Sequence, residues 1–149
     1  MRSRPFRSVA RRGFTLIELL VALAVIAVLA AIALPAFQEQ IARTRRSAMQ
    51  AALVEDAGYM QRYYSSHDAF MDSPPPRLPA GQTPRAGAVS YTITLSVPIA
   101  DPSTFVLTAV RAGPMDGDAC GDFTYDYLGR RDLVAGTAAA GRNAVTCWR

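Results

Sequence analysis

Residues 11–37 read RRGFTLIELLVALAVIAVLAAIALPAF, two arginines ahead of a long apolar run. From Leu19 to Leu34 no polar side chain occurs. Extended from Phe14 to Phe37, the run is interrupted only by Thr15, Glu18 and Pro35. As a helix it spans roughly 36 Å, enough for a hydrocarbon core of about 30 Å. Five arginines (Arg2, Arg4, Arg7, Arg11 and Arg12) precede it with no acid among them. That asymmetry predicts a cytoplasmic N-terminus and a C-terminal part outside.

The rest of the composition narrows the function. All 16 basic residues are arginine, against 12 acids, and 19% of the 149 residues are charged. Removing residues 1–13 leaves 11 Arg against 12 acids, a net of −1, so the basic character belongs to the N-terminal tip and a broad nucleic-acid-binding surface is not implied. With two cysteines and one histidine, His67, no zinc cluster, nucleophile motif or phosphate-binding glycine loop is present. No catalytic residue, metal site or cofactor is expected, and His67 receives no role.

Three readings of residues 1–37 compete: a secretory signal cut near Ala31-Ile32-Ala33, a plain signal anchor, and a leader cut before the apolar run. Glu18 separates them. A charge in hydrocarbon costs about 2.5–3.5 kcal/mol at a helix centre and less near the end, and neither a signal nor an anchor has a use for it. Gly13-Phe14-Thr15-Leu16-Ile17-Glu18 ahead of an apolar run resembles the type IV pilin N-terminal signature, which pseudopilins of type II secretion share. The short leader looks like the type IVa class. The resemblance implies that prepilin peptidase cuts between Gly13 and Phe14 and that Phe14 is then N-methylated. It also implies that Glu18 pairs with the Phe14 amine of a neighbouring subunit and sets its register, the alternative being a carboxylate that only reaches the interface. Pro35 is expected to kink or loosen the helix near Ala31, or simply to end the span.

Beyond the membrane stretch, residues 38–65 read as an amphipathic helix. Ile41, Ala48, Ala52, Tyr59 and Tyr63 share one face, flanked by Phe37, Met49 and Met60, while Glu39, Arg43, Gln50 and Gln61 fall opposite. Arg43, Arg45 and Arg46 form a basic cluster, read as solvated or subunit-facing surface, with lipid headgroups or nucleic acid as weaker alternatives. Residues 66–88, rich in proline, read as a loop. Strands are predicted at 89–97, 104–111 and 122–128 from strict alternation. The expected class is α+β: a long N-terminal helix, half transmembrane and half amphipathic, packed on a small antiparallel sheet of three to four strands. The segments are a leader (1–13), a membrane or filament-core half-helix (14–37), an amphipathic half-helix (38–65), the loop (66–88), and a sheet with a disulfide-bounded tail (89–149).

Cys120 and Cys147 enclose 26 residues and are expected to pair outside the cytoplasm, the alternative being two free buried thiols. Asp116, Asp118 and Asp122 do not fit a calcium loop and read as polar loop residues. The Cys120-Gly121 and Cys147-Trp148 segments, with Gln61-Arg62-Tyr63-Tyr64, look like PilE-like minor pilins. The resemblance further implies a structural subunit of a type IV pilus that supports assembly and twitching, held in the inner membrane and later on the cell surface. Its partners would be other pilins, prepilin peptidase and the inner-membrane assembly machinery. A major pilin, a pseudopilin and a DNA-binding pilin are the alternatives.

Overall fold

The computed structural model describes residues 13–71 and 74–148; the leader arginines lie outside the described residues. One α-helix, α1, runs from Leu16 to His67 without interruption, Pro35 included. Thr15 starts it. Its Oγ1 accepts the Glu18 N–H at 3.3 Å and its carbonyl accepts the same N–H at 3.1 Å, so Thr15 and Glu18 stand at the first and last positions of a capping-box pattern. The chain divides into two units, one ending at Glu39 and one from Gln40 onward.

In the first unit the large apolar side chains from Phe14 to Phe37 are exposed. Among the described residues α1 is the helix long and apolar enough to cross a membrane, and none of its apolar window is buried.

The second unit is a half-helix against a five-stranded antiparallel meander. The strands are β1 (Gln82–Thr83), β2 (Tyr91–Ser96), β3 (Val106–Arg111), β4 (Phe123–Asp126) and β5 (Arg131–Leu133), neighbours in that order. The sheet exceeds the three to four strands expected. The first extra strand lies inside the loop predicted over 66–88. It is two residues long because Pro79 and Pro84 bracket it, and proline offers no N–H to a ladder. The second, β5, is three residues long, too short for its alternation to register in sequence. A short helix, α2 (Ala144–Cys147), opens with Asn143 and Thr146 in a reciprocal capping box.

The inner face of the sheet follows from alternation. Tyr91 and Ile93 on β2, Leu107 and Ala109 on β3, and Phe123 on β4 are buried against Met49, Leu53 and Met60 of α1. Fully burying each large apolar side chain contributes about 1.5–3 kcal/mol. Phe70, just past the helix, seats edge-on against Phe105 at 4.7 Å, and its N–H donates to the Pro102 carbonyl.

The buried face of α1 is not the expected stripe. It comprises Arg46, Met49, Ala52, Leu53, Asp56, Ala57 and Met60, whereas Ala48 is exposed. The true series 46-49-53-56-60 steps by 3, 4, 3 and 4, which is the spacing of one helix face. Two of its members are charged, so a reading that places only apolar residues inside selects a neighbouring stripe. Both are buried, and each has a hydrogen-bond partner in the head.

Candidate assembly segment and the junction that locks the head

The residues expected to carry processing and assembly lie together at the start of α1. Gly13 and Phe14 precede the helix and are exposed, Phe14 by 80%. Glu18 lies in the first turn, where unsatisfied N–H groups favour a negative charge. Its N–H is taken by the Thr15 cap, and its side chain is exposed. The first turn is thus a place where an acid helps helix formation, in addition to any pairing with an amine. Alanines at 22, 24, 27, 30, 31 and 33 keep the surface of the apolar half-helix low, which lets other helices approach closely.

The head is fixed to its own half of α1 by a buried polar junction. Arg46, 6% exposed, forks onto Asp118: Nη2 donates to Oδ1 at 2.6 Å and Nε to Oδ2 at 2.9 Å. The buried Tyr91 hydroxyl donates to Asp118 Oδ2 at 3.1 Å. Burial, then the charge of Asp118, pushes the Tyr91 phenol far above its ordinary range. Arg111 completes the arrangement, with Nη1 on the Asp118 carbonyl at 2.7 Å and Nε on Asp122 Oδ1 at 2.9 Å. Arg46 is therefore not part of a solvated basic cluster, and Asp118 and Asp122 are not free loop acids. They tie the loop between β3 and β4 to the helix. The 3-4 spacing of Arg46 with Met49 and Leu53 was the sequence signal for this burial; nothing in the sequence identified Asp118 as its partner.

Cys120, two residues beyond Asp118, bonds to Cys147 with Cα atoms 5.7 Å apart, as expected. Closing a loop of this length stabilises the head by roughly 3.5 kcal/mol in the chain-entropy account. Gln50 Nε2 donates to the Cys147 carbonyl at 3.1 Å, which brings the tail onto α1. Trp148 then packs edge-on against Phe123 at 5.4 Å, its Nε1 donates to the Asp132 carbonyl, and the Arg131 guanidinium lies over its ring.

A second anchor holds the segment before β1. Asp56 is fully buried, and its Oδ1 accepts the Ala80 N–H at 2.7 Å. Its Oδ2 has no hydrogen-bond partner among the described residues. Burial raises its pKa, with Glu55 adding to the rise and the Ala80 bond and Arg85 opposing it. Arg85 is itself paired with Glu55. Among the described residues no group of His, Cys, Asp and Glu is placed to hold a metal ion.

Comparison with known proteins supplies the remaining context. Residues 9–34 match a family model described as the prokaryotic N-terminal methylation motif. Residues 35–124 match one described as type IV minor pilin ComP, DNA uptake sequence receptor. The chain is 33% identical over 91 residues to the type IV major pilin protein PilE1 of Neisseria gonorrhoeae, covering 61% of this chain and 41% of that one. It is 46% identical over 55 residues to the fimbrial protein EcpC of Eikenella corrodens, covering 37% and 36%. The chain spans only 25% to 41% of the length of such curated relatives. A solved type IV pilin from Shewanella oneidensis aligns with a TM-score of 0.44 at 28% identity, covering 66% of this chain and 97% of that one.

Proposed function

The chain belongs to the type IV minor pilin family whose model spans residues 35–124, and from that premise we propose that it is a structural subunit of a type IV pilus that supports assembly and pilus-dependent motility. The observation that carries this reading is the uncovered apolar surface of α1. From Leu16 to Leu34 its large apolar side chains are more than half exposed, and such a surface needs lipid or other helices around it. A pilin uses both in turn.

In this reading the subunit waits in the inner membrane through residues 14–37, its basic N-terminus cytoplasmic and its head periplasmic. Prepilin peptidase cuts after Gly13, and Phe14 becomes an N-methylated terminus. The new amine is positive and sits in apolar surroundings. Glu18 of an incoming subunit pairs with the Phe14 amine of its neighbour, and a shift of register leaves both charges unpaired in a low dielectric. Pro35 lacks the N–H that would close the turn behind it, which leaves a weak point where the helix loosens on packing. Other pilins and the inner-membrane assembly machinery are the partners. In this reading the role of the chain is structural.

The test is gene deletion. Loss of surface pili and twitching with secretion intact supports the pilus; loss of secretion with pili retained would mean a type II secretion pseudopilin. Abundance in sheared pili separates a major from a minor subunit.

A second reading, DNA reception, is favoured by the description of the matching family model. Against it, Arg46, Arg85, Arg111 and Arg130 are each committed to a carboxylate. It requires that the full chain in micelles bind duplex DNA with a steep salt dependence. No binding at low salt removes it.

A further inference from the structure

The two edges of the sheet are finished differently. At the β5 edge the tail closes over the strand, with Trp148 Nε1 donating to the Asp132 carbonyl. At the other edge β1 covers only the start of β2. Gln82 lies opposite Thr92, and the Ile93 N–H donates to the Gly81 carbonyl at 2.9 Å. Ser90, whose carbonyl accepts the Ala112 N–H, faces β3, and the two-residue period turns the main chain of Thr92, Thr94 and Ser96 the same way. Leu95 therefore faces outward, as Ile93 does. Continued beyond β1, the same register puts Pro79 opposite Leu95, and a proline has no N–H to give. The Leu95 N–H and C=O have no backbone hydrogen bond among the described residues, so one rung of the ladder is open.

Beside this rung is a cleft of about 330 Å³ lined by Met71, Leu78, Ile93, Leu95 and Val97, with Arg77 as its only charge. Arg77 is exposed and has no hydrogen bond or ion pair among the described residues. All of these groups belong to the unit from Gln40 onward. The open rung asks for extended main chain, the cleft for an apolar side chain, and the guanidinium for a carboxylate. A free carboxylic acid could meet Arg77 but brings no N–H for the Leu95 carbonyl. A second copy joined through this same face brings no carboxylate, because no acid lines the cleft. We propose that the β2 edge at Leu95 receives an extended segment of a partner protein as an added strand, with an apolar side chain in the cleft and an acidic residue on Arg77. The proposal does not depend on the membrane or filament reading of residues 14–37.

The test uses the full nitrogen-15-labelled chain in maltoside micelles, titrated with N-acetylated, C-amidated octapeptides of alternating valine and threonine that carry one glutamate at each position in turn. The expected result is saturable binding by at least one glutamate position, with hydrogen exchange of the Leu95 amide slowed about tenfold or more. Arg77→Gln, a change at an exposed side chain, is expected to weaken that binding about tenfold. N-methylation of alternate peptide amides is expected to abolish binding in one phase, the one whose N–H groups face β2, and to spare it in the other. No saturable binding by any peptide overturns the proposal. Equal affinity of wild type and Arg77→Gln, or of the parent peptide and both methylated phases, overturns it as well. A dimer that forms without peptide and protects the Leu95 amide would make a second copy the occupant and refute the partner segment.

Discussion

Arg46 Nη2 lies 2.6 Å from Asp118 Oδ1, and both side chains are more than nine-tenths buried. This pair joins α1 to the loop that carries Cys120. Removing one partner leaves a buried charge without its counter-ion. Asp118→Ala is therefore expected to destabilise the head by about 3–5 kcal/mol, while Arg46→Met with Asp118→Leu recovers most of the loss. Urea denaturation of the full chain in micelles, followed by the fluorescence of Trp148, measures both. A double-variant loss equal to the sum of the losses of Arg46→Met and Asp118→Leu alone would show that the pair is not a coupled unit.

Gly121 sits beside that pair at φ +73°, a conformation side chains rarely adopt. A Cβ there would lie 2.5 Å from Thr137 Oγ1 and 2.6 Å from the Ala138 nitrogen. Thr137 has no room to yield, because its hydroxyl accepts the Asp122 N–H at 2.9 Å and donates to the Val134 carbonyl at 2.8 Å. Gly121→Ala is expected to cost at least about 2 kcal/mol by the same denaturation measurement. Gly117, whose Cβ would meet nothing within 4 Å, serves as the control.

Asp56 gives the head a pH dependence opposite in sign to that of a salt-bridged carboxylate. Burial raises its folded-state pKa, so the folded state holds its proton more tightly than the unfolded chain does. The contribution is fully present below the unfolded value of about 3.9 and is lost as pH rises through the higher folded value. In Asp56→Asn this loss disappears while the amide oxygen still accepts from Ala80. The difference in stability between wild type and Asp56→Asn should thus grow in favour of the variant from pH 4 to pH 7. A difference that is flat with pH would place the carboxylate in water.

The membrane stretch, the helix beyond it and three of the strands were legible because each is long enough to show its period. Leu19 to Leu34 needs no partner to be recognised, and Val89 to Val97 alternates over nine residues. β1 and β5 were not legible, since two or three residues carry no period and their pairing is set by β2 and β4. The Cys120–Cys147 bond was readable from the count of cysteines and the expectation that the head lies outside the cytoplasm. The Arg46–Asp118 junction was not. Its partners are 72 positions apart, and a charged residue on a helix face is read as solvated unless its counter-ion is known. Asp56 was hidden for the same reason: its partner is a backbone N–H of a loop, which leaves no trace in side-chain pattern.

Glu18 separates assembly from insertion. Glu18→Ala removes an acid from the first turn of α1, so membrane insertion is expected to be unchanged or slightly improved. The amount of the variant in sheared pili is expected to fall at least about tenfold, the scale of one charge pair lost in a low dielectric. Wild-type amounts in filaments would reduce Glu18 to a helix-capping residue.

Under the proposed function, maturation keeps the greasy half of α1 and does not discard it. The intact mass of the chain purified from cells, with its first residues sequenced, tests this most directly. The expected chain begins at N-methylated Phe14 and retains every residue through Pro35. A chain that begins beyond Ala33 would contradict it, because a subunit without that half-helix has neither its membrane tether nor its place in a filament.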